Sequence, residues 1–201
     1  MIDKIIIIQK HIRGYIARKK VSISSYYQTK NWRKNRDWYK NGKLNECEKY
    51  QIRLINKIIK IELKKTYDRI NTETYEIIEN RIPMMKDDGY EWTENFDGKL
   101  IKNKNTYYFN LKFVCDNGGS QTRTLRNVYD FIKHQIKYIS KFNRNNIYFI
   151  NILDGDTSYN NIGKFKYLIN KQPKNIIKYI FVGSLYDFEI IKQNFLKYIE
   201  L

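Results

Sequence analysis

Several short stretches of this 201-residue chain carry side chains suited to chemistry on an anion. Asp97 stands thirteen residues ahead of Asn110, and Lys112 follows Asn110 at the second position. In a strand over Tyr107–Val114, period-two alternation projects residues 110 and 112 from one face, so an oxygen ligand and a cation can meet one phosphate. Further on, Gly118-Gly119-Ser120 opens a helical pattern, where free backbone N–H groups face an anion. Gln121, Arg123 and Arg126 cluster at that mouth and suit contact with phosphate or base edges. The plainer alternative there is a glycine turn with solvated arginines. Asp154 and Asp156 follow a buried strand pattern, where α/β ligand sites commonly sit; they read either as a second metal pair or, more commonly for Asp-Gly-Asp, as a turn. Near the N-terminus, Lys34 and Arg36 alternate with Trp32, Trp38 and Tyr39. That pattern reads as a phosphate-gripping surface with stacking rings, or as core tryptophans with cations between them. His11 and His134 stand alone, and there is no P-loop, nucleophile-elbow serine or Cys-x-x-Cys pair.

The acid, the strand and the lysine resemble the Pro-Asp…(Asp/Glu)-x-Lys nuclease superfamily, which includes most type II restriction endonucleases. The resemblance spans roughly residues 85–183. It implies DNA as substrate, Mg²⁺ as cofactor and phosphodiester hydrolysis as the reaction. Asp97 takes the first acid, Asn110 the second acid position, and Lys112 the lysine that orients the attacking water. Two positions depart from the pattern: Phe96 precedes Asp97 where the family has Pro, and Asn110 replaces a carboxylate. An amide oxygen can coordinate Mg²⁺ but brings no charge. Glu94 or Glu91 is then the candidate for the missing carboxylate. If neither serves, the same fold is a nucleic-acid-binding protein without catalysis. Family members are often dimers, so a homodimer is a further expectation.

A separate pattern occupies residues 8–18. Ile8, Gln9, Arg13, Gly14 and Arg18 occur as Ile-Gln, three residues, Arg-Gly, three residues, Arg. Ile5, Ile8, Ile12 and Ile16 recur at spacings of three and four and line one face of a helix. Arg13, Arg18, Lys19 and Lys20 surround that stripe with positive charge. The segment resembles the IQ motif, which implies a calmodulin-like partner, often in its calcium-free form. A basic amphipathic helix suits an acidic protein that grips an apolar face. The plainer alternative is a basic helix packed on its own domain.

The formal net charge is +17, and it is uneven. Residues 1–66 hold 18 Lys and Arg against 5 Asp and Glu, while residues 67–201 hold 20 against 16. A basic arm on a nearly balanced domain favours a polyanionic partner: nucleic acid, an acidic protein or an anionic membrane surface. The abundance of Ile, Asn, Lys and Tyr is also what A/T-rich codons give, and together with the restriction-type resemblance it suggests a large DNA virus or a bacterium as source. No apolar run is long enough to span a membrane, and charges interrupt any signal-peptide pattern. Cys47 and Cys115 make no framework, which points to an intracellular setting, cytoplasmic or nuclear.

To position these residues, the chain is expected to form an α/β (α+β) fold: a small mixed sheet flanked by helices, nuclease-like, with an N-terminal helical arm. The expected division is 1–21 as a basic IQ-like helix, 22–84 as a basic helical arm and 85–201 as the α/β core. Helices are expected over 3–21, 45–68, 73–81, 122–142 and 185–199. Strands are expected over 99–101, 107–114, 147–153 and 176–182, the first two as a hairpin.

Overall fold

The computed structural model describes residues 34–41, 46–79, 91–115 and 118–198. The IQ-like helix, Trp32, Met84, Met85 and Asp116-Asn117 lie outside the described residues. The elements run in chain order as α1 (Asp37–Lys40), α2 (Glu46–Ile59), β1 (Arg69–Ile70), β2 (Ile77–Ile78), β3 (Gly98–Lys102) and β4 (Asn105–Phe113). There follow α3 (Gly119–Phe142), β5 (Ile147–Asp154), α4 (Asp156–Asn170), α5 (Lys174–Ile177), β6 (Ile180–Gly183) and α6 (Leu185–Tyr198). The expected α/β fold is observed, with a mixed sheet between helices.

The main sheet has the order β3-β4-β5-β6. The β3–β4 hairpin is antiparallel, with Gly98 opposite Phe109 and Lys102 opposite Asn105. Asn103 and Lys104 turn it, both at positive φ. β4 pairs β5 in parallel, and β5 pairs β6 in parallel, so helices must cross over between them. Alternation then sorts the side chains into two cores. Tyr108 and Phe149 face α3 and α4, beneath Val128, Ile132, Ile139 and Phe165. Phe109, Leu111, Ile150 and Ile152 face α2 and α6, against Ile55, Ile59 and Phe188. Fully burying one such side chain stabilises the fold by about 1.5–3 kcal/mol.

Three expected elements are corrected and one unassigned segment gains a helix. The helix begun near residue 45 stops at Ile59, not near 68. Lys60 takes φ 56, a left-handed stop, and Leu63 N–H then donates to Asn56 Oδ1 at 2.9 Å. The freed chain runs extended, placing Leu63 against Gly98 and bridging Lys64 to Lys99. Of the helix expected over 73–81, the described residues 73–79 are not helical. Asn71 Oδ1 accepts from the N–H groups of Glu73 and Thr74, at 2.9 and 2.7 Å, and turns the chain into the β1–β2 hairpin. Residues 156–170, to which the sequence pattern assigned no element beyond a turn at 154–156, form α4. Thr157, Ser158, Asn160, Asn161 and Gly163 are poor helix formers and mask its period, whereas burial of Phe165 and Ile169 stabilises it. The last strand begins at Ile180, not Ile176, because Pro173 O accepts from Ile176 and Ile177 N–H and starts the short helix α5.

Helix α2 and the β1–β2 hairpin, placed by the sequence in the basic arm, contribute Ile55, Ile59 and Ile70 to the same two cores as the later elements.

Candidate functional site

Strand β4 ends in Asn110-Leu111-Lys112-Phe113, and the chain enters β3 through Asp97. The Asp97 N–H donates to Phe109 O at 2.8 Å, which sets Asp97 beside the Asn110 end of the partner strand. Its carboxylate then accepts from Leu111 N–H at 2.6 Å. Lys112 Nζ lies 2.8 Å from Glu94 Oε2. Asp97, Glu94 and Lys112 therefore gather at one end of the hairpin.

The electrostatics of this cluster are perturbed. Burial pushes the Asp97 carboxyl from 3.8 up to about 6, although Lys112 and the Leu111 N–H act in the opposite sense. Burial alone would lower the Lys112 ammonium, but Asp97 and Glu94 outweigh it and hold it above its ordinary value. Glu48 of α2 contributes to both fields: it raises Asp97 and raises Lys112. Glu48 was not legible as a site residue, because it lies on a helix about fifty positions upstream.

Asn110 is placed differently from a solvent-facing ligand. It is 1% exposed. Its Nδ2 donates to Asn151 Oδ1 at 3.1 Å, and Asn151 exchanges bonds with Gln135 of α3 at 3.0 and 2.8 Å. Asn110 Oδ1 is buried without a hydrogen-bond partner. Among the described residues, no group of three or more His, Cys, Asp or Glu side chains is arranged to hold a metal ion.

The remaining predicted residues lie on other parts of the fold. Gln121, Arg123 and Arg126 lie at the start of α3, which begins one turn earlier than expected, at Gly119. Gln121 Oε1 accepts from Ser120 Oγ at 2.6 Å, while Arg123 and Arg126 are exposed. Lys34 is exposed and Arg36 half-buried, ahead of α1. Asp154 and Asp156 part company at Gly155. Asp154 is buried and accepts from Gln51 Nε2 at 2.7 Å and Leu185 N–H at 3.0 Å; burial pushes it up to about 6. Asp156 Oδ1 instead accepts from Thr157 N–H at the start of α4. The turn reading of Asp-Gly-Asp describes this geometry. His134 Nδ1 lies 2.7 Å from Asp130 O, within its own helix.

The fold and the cluster thus define a mixed α/β domain with a polar site where β4 ends. Comparison with known proteins adds one finding at the other end of the chain: the family model of the IQ calmodulin-binding motif matches residues 2–22. No curated protein and no solved structure matches the chain. Among the described residues, no helix is long and apolar enough to cross a membrane.

Proposed function

We propose that this protein binds a calmodulin-like partner through Ile8, Gln9, Arg13, Gly14 and Arg18. The observation that carries the reading is the match of residues 2–22 to the IQ motif. The isoleucine stripe supplies an apolar face, and the surplus of cations in the first third of the chain complements an acidic protein. Titration calorimetry with calmodulin, with and without Ca²⁺, tests it. Binding is expected for the wild type and loss of it for Ile8→Ala with Arg13→Ala; unchanged binding in the double variant sinks the reading.

A second reading concerns the α/β domain: Mg²⁺-dependent hydrolysis of a DNA phosphodiester, as in the restriction-type nucleases that residues 97–112 resemble. The meeting of Asp97, Glu94 and Lys112 supports it. The donor set is hard oxygen, as Mg²⁺ requires, and Asn110 Oδ1 is a buried oxygen with no hydrogen-bond partner. Asp97 and Glu94 would hold the ion, with Asn110 Oδ1 as a neutral third donor. When bound, the ion would supply Lewis-acid stabilisation of phosphate charge. Lys112 would leave Glu94 to orient the attacking water, and Glu48 would add negative field from α2. Cleavage of supercoiled and linear DNA with Mg²⁺ or Mn²⁺ is the test. Metal-dependent cutting lost in both Asp97→Ala and Lys112→Ala supports hydrolysis, whereas no cutting with salt-sensitive DNA binding retained assigns the domain to binding alone.

A further inference from the structure

We propose that the outer side of the α3–α4 helical layer is a docking face for the phosphate backbone of a nucleic acid. The proposal stands apart from the hydrolytic reading, because it requires no cleavage. It rests on a segregation of charge that the chain order conceals. Residues 67–201 are nearly balanced overall, yet α3 holds five cations against Asp130, and residues 156–178 hold five against Asp156.

The geometry brings these cations to one side. Arg123, Arg126, Lys133, Lys137 and Lys141 are all exposed. At 100° per residue they fall within about 80° of the helix circumference. From Arg123 to Lys141 that stripe is about 27 Å long, within a 24-residue helix. Helix α4 buries Phe165 and Ile169 in the same core as Val128, Ile132 and Ile139 of α3. Both helices therefore cover the same face of the sheet and turn their polar sides away from it. Lys164, Lys166, Lys171 and Lys174 are exposed on the α4–α5 part. Of the cations named here, only Lys133 has an ion-pair partner among the described residues, Asp130 at 3.0 Å. Mutual repulsion in so concentrated a field is relieved by a polyanion.

The character of the face selects among polyanions. Its exposed large apolar side chains are Tyr159 and Tyr167, 40% and 59% exposed, with no Leu, Ile, Phe or Trp among them. An anionic membrane would be gripped by inserted aliphatic side chains or tryptophan, and an acidic protein by a buried apolar anchor. Tyrosine with lysine suits nucleic acid, where cations contact phosphates and rings stack on exposed bases. Lys171 Nζ already sits 4.2 Å from the Tyr167 ring centroid.

The test is salt-dependent binding of labelled duplex DNA, single-stranded DNA and RNA to the full chain, read by fluorescence anisotropy. The variant carries Lys137→Ala, Lys141→Ala, Lys166→Ala and Lys174→Ala. A control removes equal charge from the α2 side of the sheet: Arg53→Ala, Lys57→Ala, Lys60→Ala and Lys65→Ala. Unchanged thermal unfolding verifies that both fold. The expected result is a loss of roughly tenfold or more in affinity for at least one nucleic acid, with the log–log salt slope falling by ~0.9 per lost duplex contact. The control should retain most of its affinity. Wild-type affinity and slope in the α3–α4 variant overturn the proposal. So does an equal loss in the control, or binding to phosphatidylserine vesicles without binding to nucleic acid.

Discussion

Asp97 and Asp154 are carboxylates that burial holds at about 6, against an ordinary value of 3.8. An acid whose pKa is higher in the folded state adds stability fully present below the unfolded value, and that stability is lost as pH rises through the folded one. The window is therefore about pH 4 to 6, and its sign opposes that of ordinary ion-paired carboxylates. For the fully buried Asp154, a rise from 3.8 to about 6 corresponds to roughly 3 kcal/mol across the window. Urea unfolding at pH 4.5 and pH 7 is expected to show a smaller pH dependence in Asp154→Asn than in wild type; parallel curves would contradict the assignment. A second expectation belongs to the amide network. Replacing Asn151 with Leu leaves Gln135 and Asn110 without their shared partner, at a cost of about 1–3 kcal/mol for each stranded polar group. Equilibrium unfolding measures that cost.

At the level of elements, sharp turns decide where site residues end up. Gly155 takes φ 97, and a Cβ there would run into the Val114 carbonyl. Gly155→Ala is expected to destabilise the fold by about 1–3 kcal/mol and to disturb the Asp154 bonds to Gln51 and Leu185, which a thermal melt would show. Helix α2 is joined to the sheet by Ile55, fully buried, so Ile55→Ala is expected to cost about 2–5 kcal/mol in urea unfolding. The elements with strong periods were legible in advance. Leu125, Val128, Tyr129, Ile132, Ile136 and Ile139 mark the inward side of α3; all are buried except Tyr129, which is half-buried against the same core. Helix α4 was not legible, since its first turns are Thr, Ser, Asn and Gly, and its stability comes from two aromatic and aliphatic contacts with the core. Strand β2 was misread as helix because Glu73, Glu76 and Glu79 favour helix locally, while one Asn side chain sets the turn before it.

For the whole molecule, residues 1–66 carry most of the net positive charge, and α3 and α4 carry a further set of exposed cations. An acidic calmodulin-like protein on residues 8–18 would neutralise part of the first and leave the second in place. Nucleic-acid affinity at low salt is then expected to fall several-fold when calmodulin is added, while the effect of the Lys137 and Lys166 substitutions persists. Anisotropy titrations with and without calmodulin check both parts, and a complete loss of nucleic-acid binding on adding calmodulin would place all of it on the N-terminal third.

The sequence by itself determined the IQ-type pattern at residues 8–18, because a helical binding motif is local and its spacing is the whole of its signal. It also determined the β3–β4 hairpin, since period-two alternation is a property of neighbouring residues. Only the tertiary structure decided that Asn110 turns into an amide network with Asn151 and Gln135, that Glu48 adds to the field at Lys112, and that α3 and α4 pack into the same core. Those facts depend on which helix covers which side of the sheet, and that choice is made by packing between residues far apart in the chain.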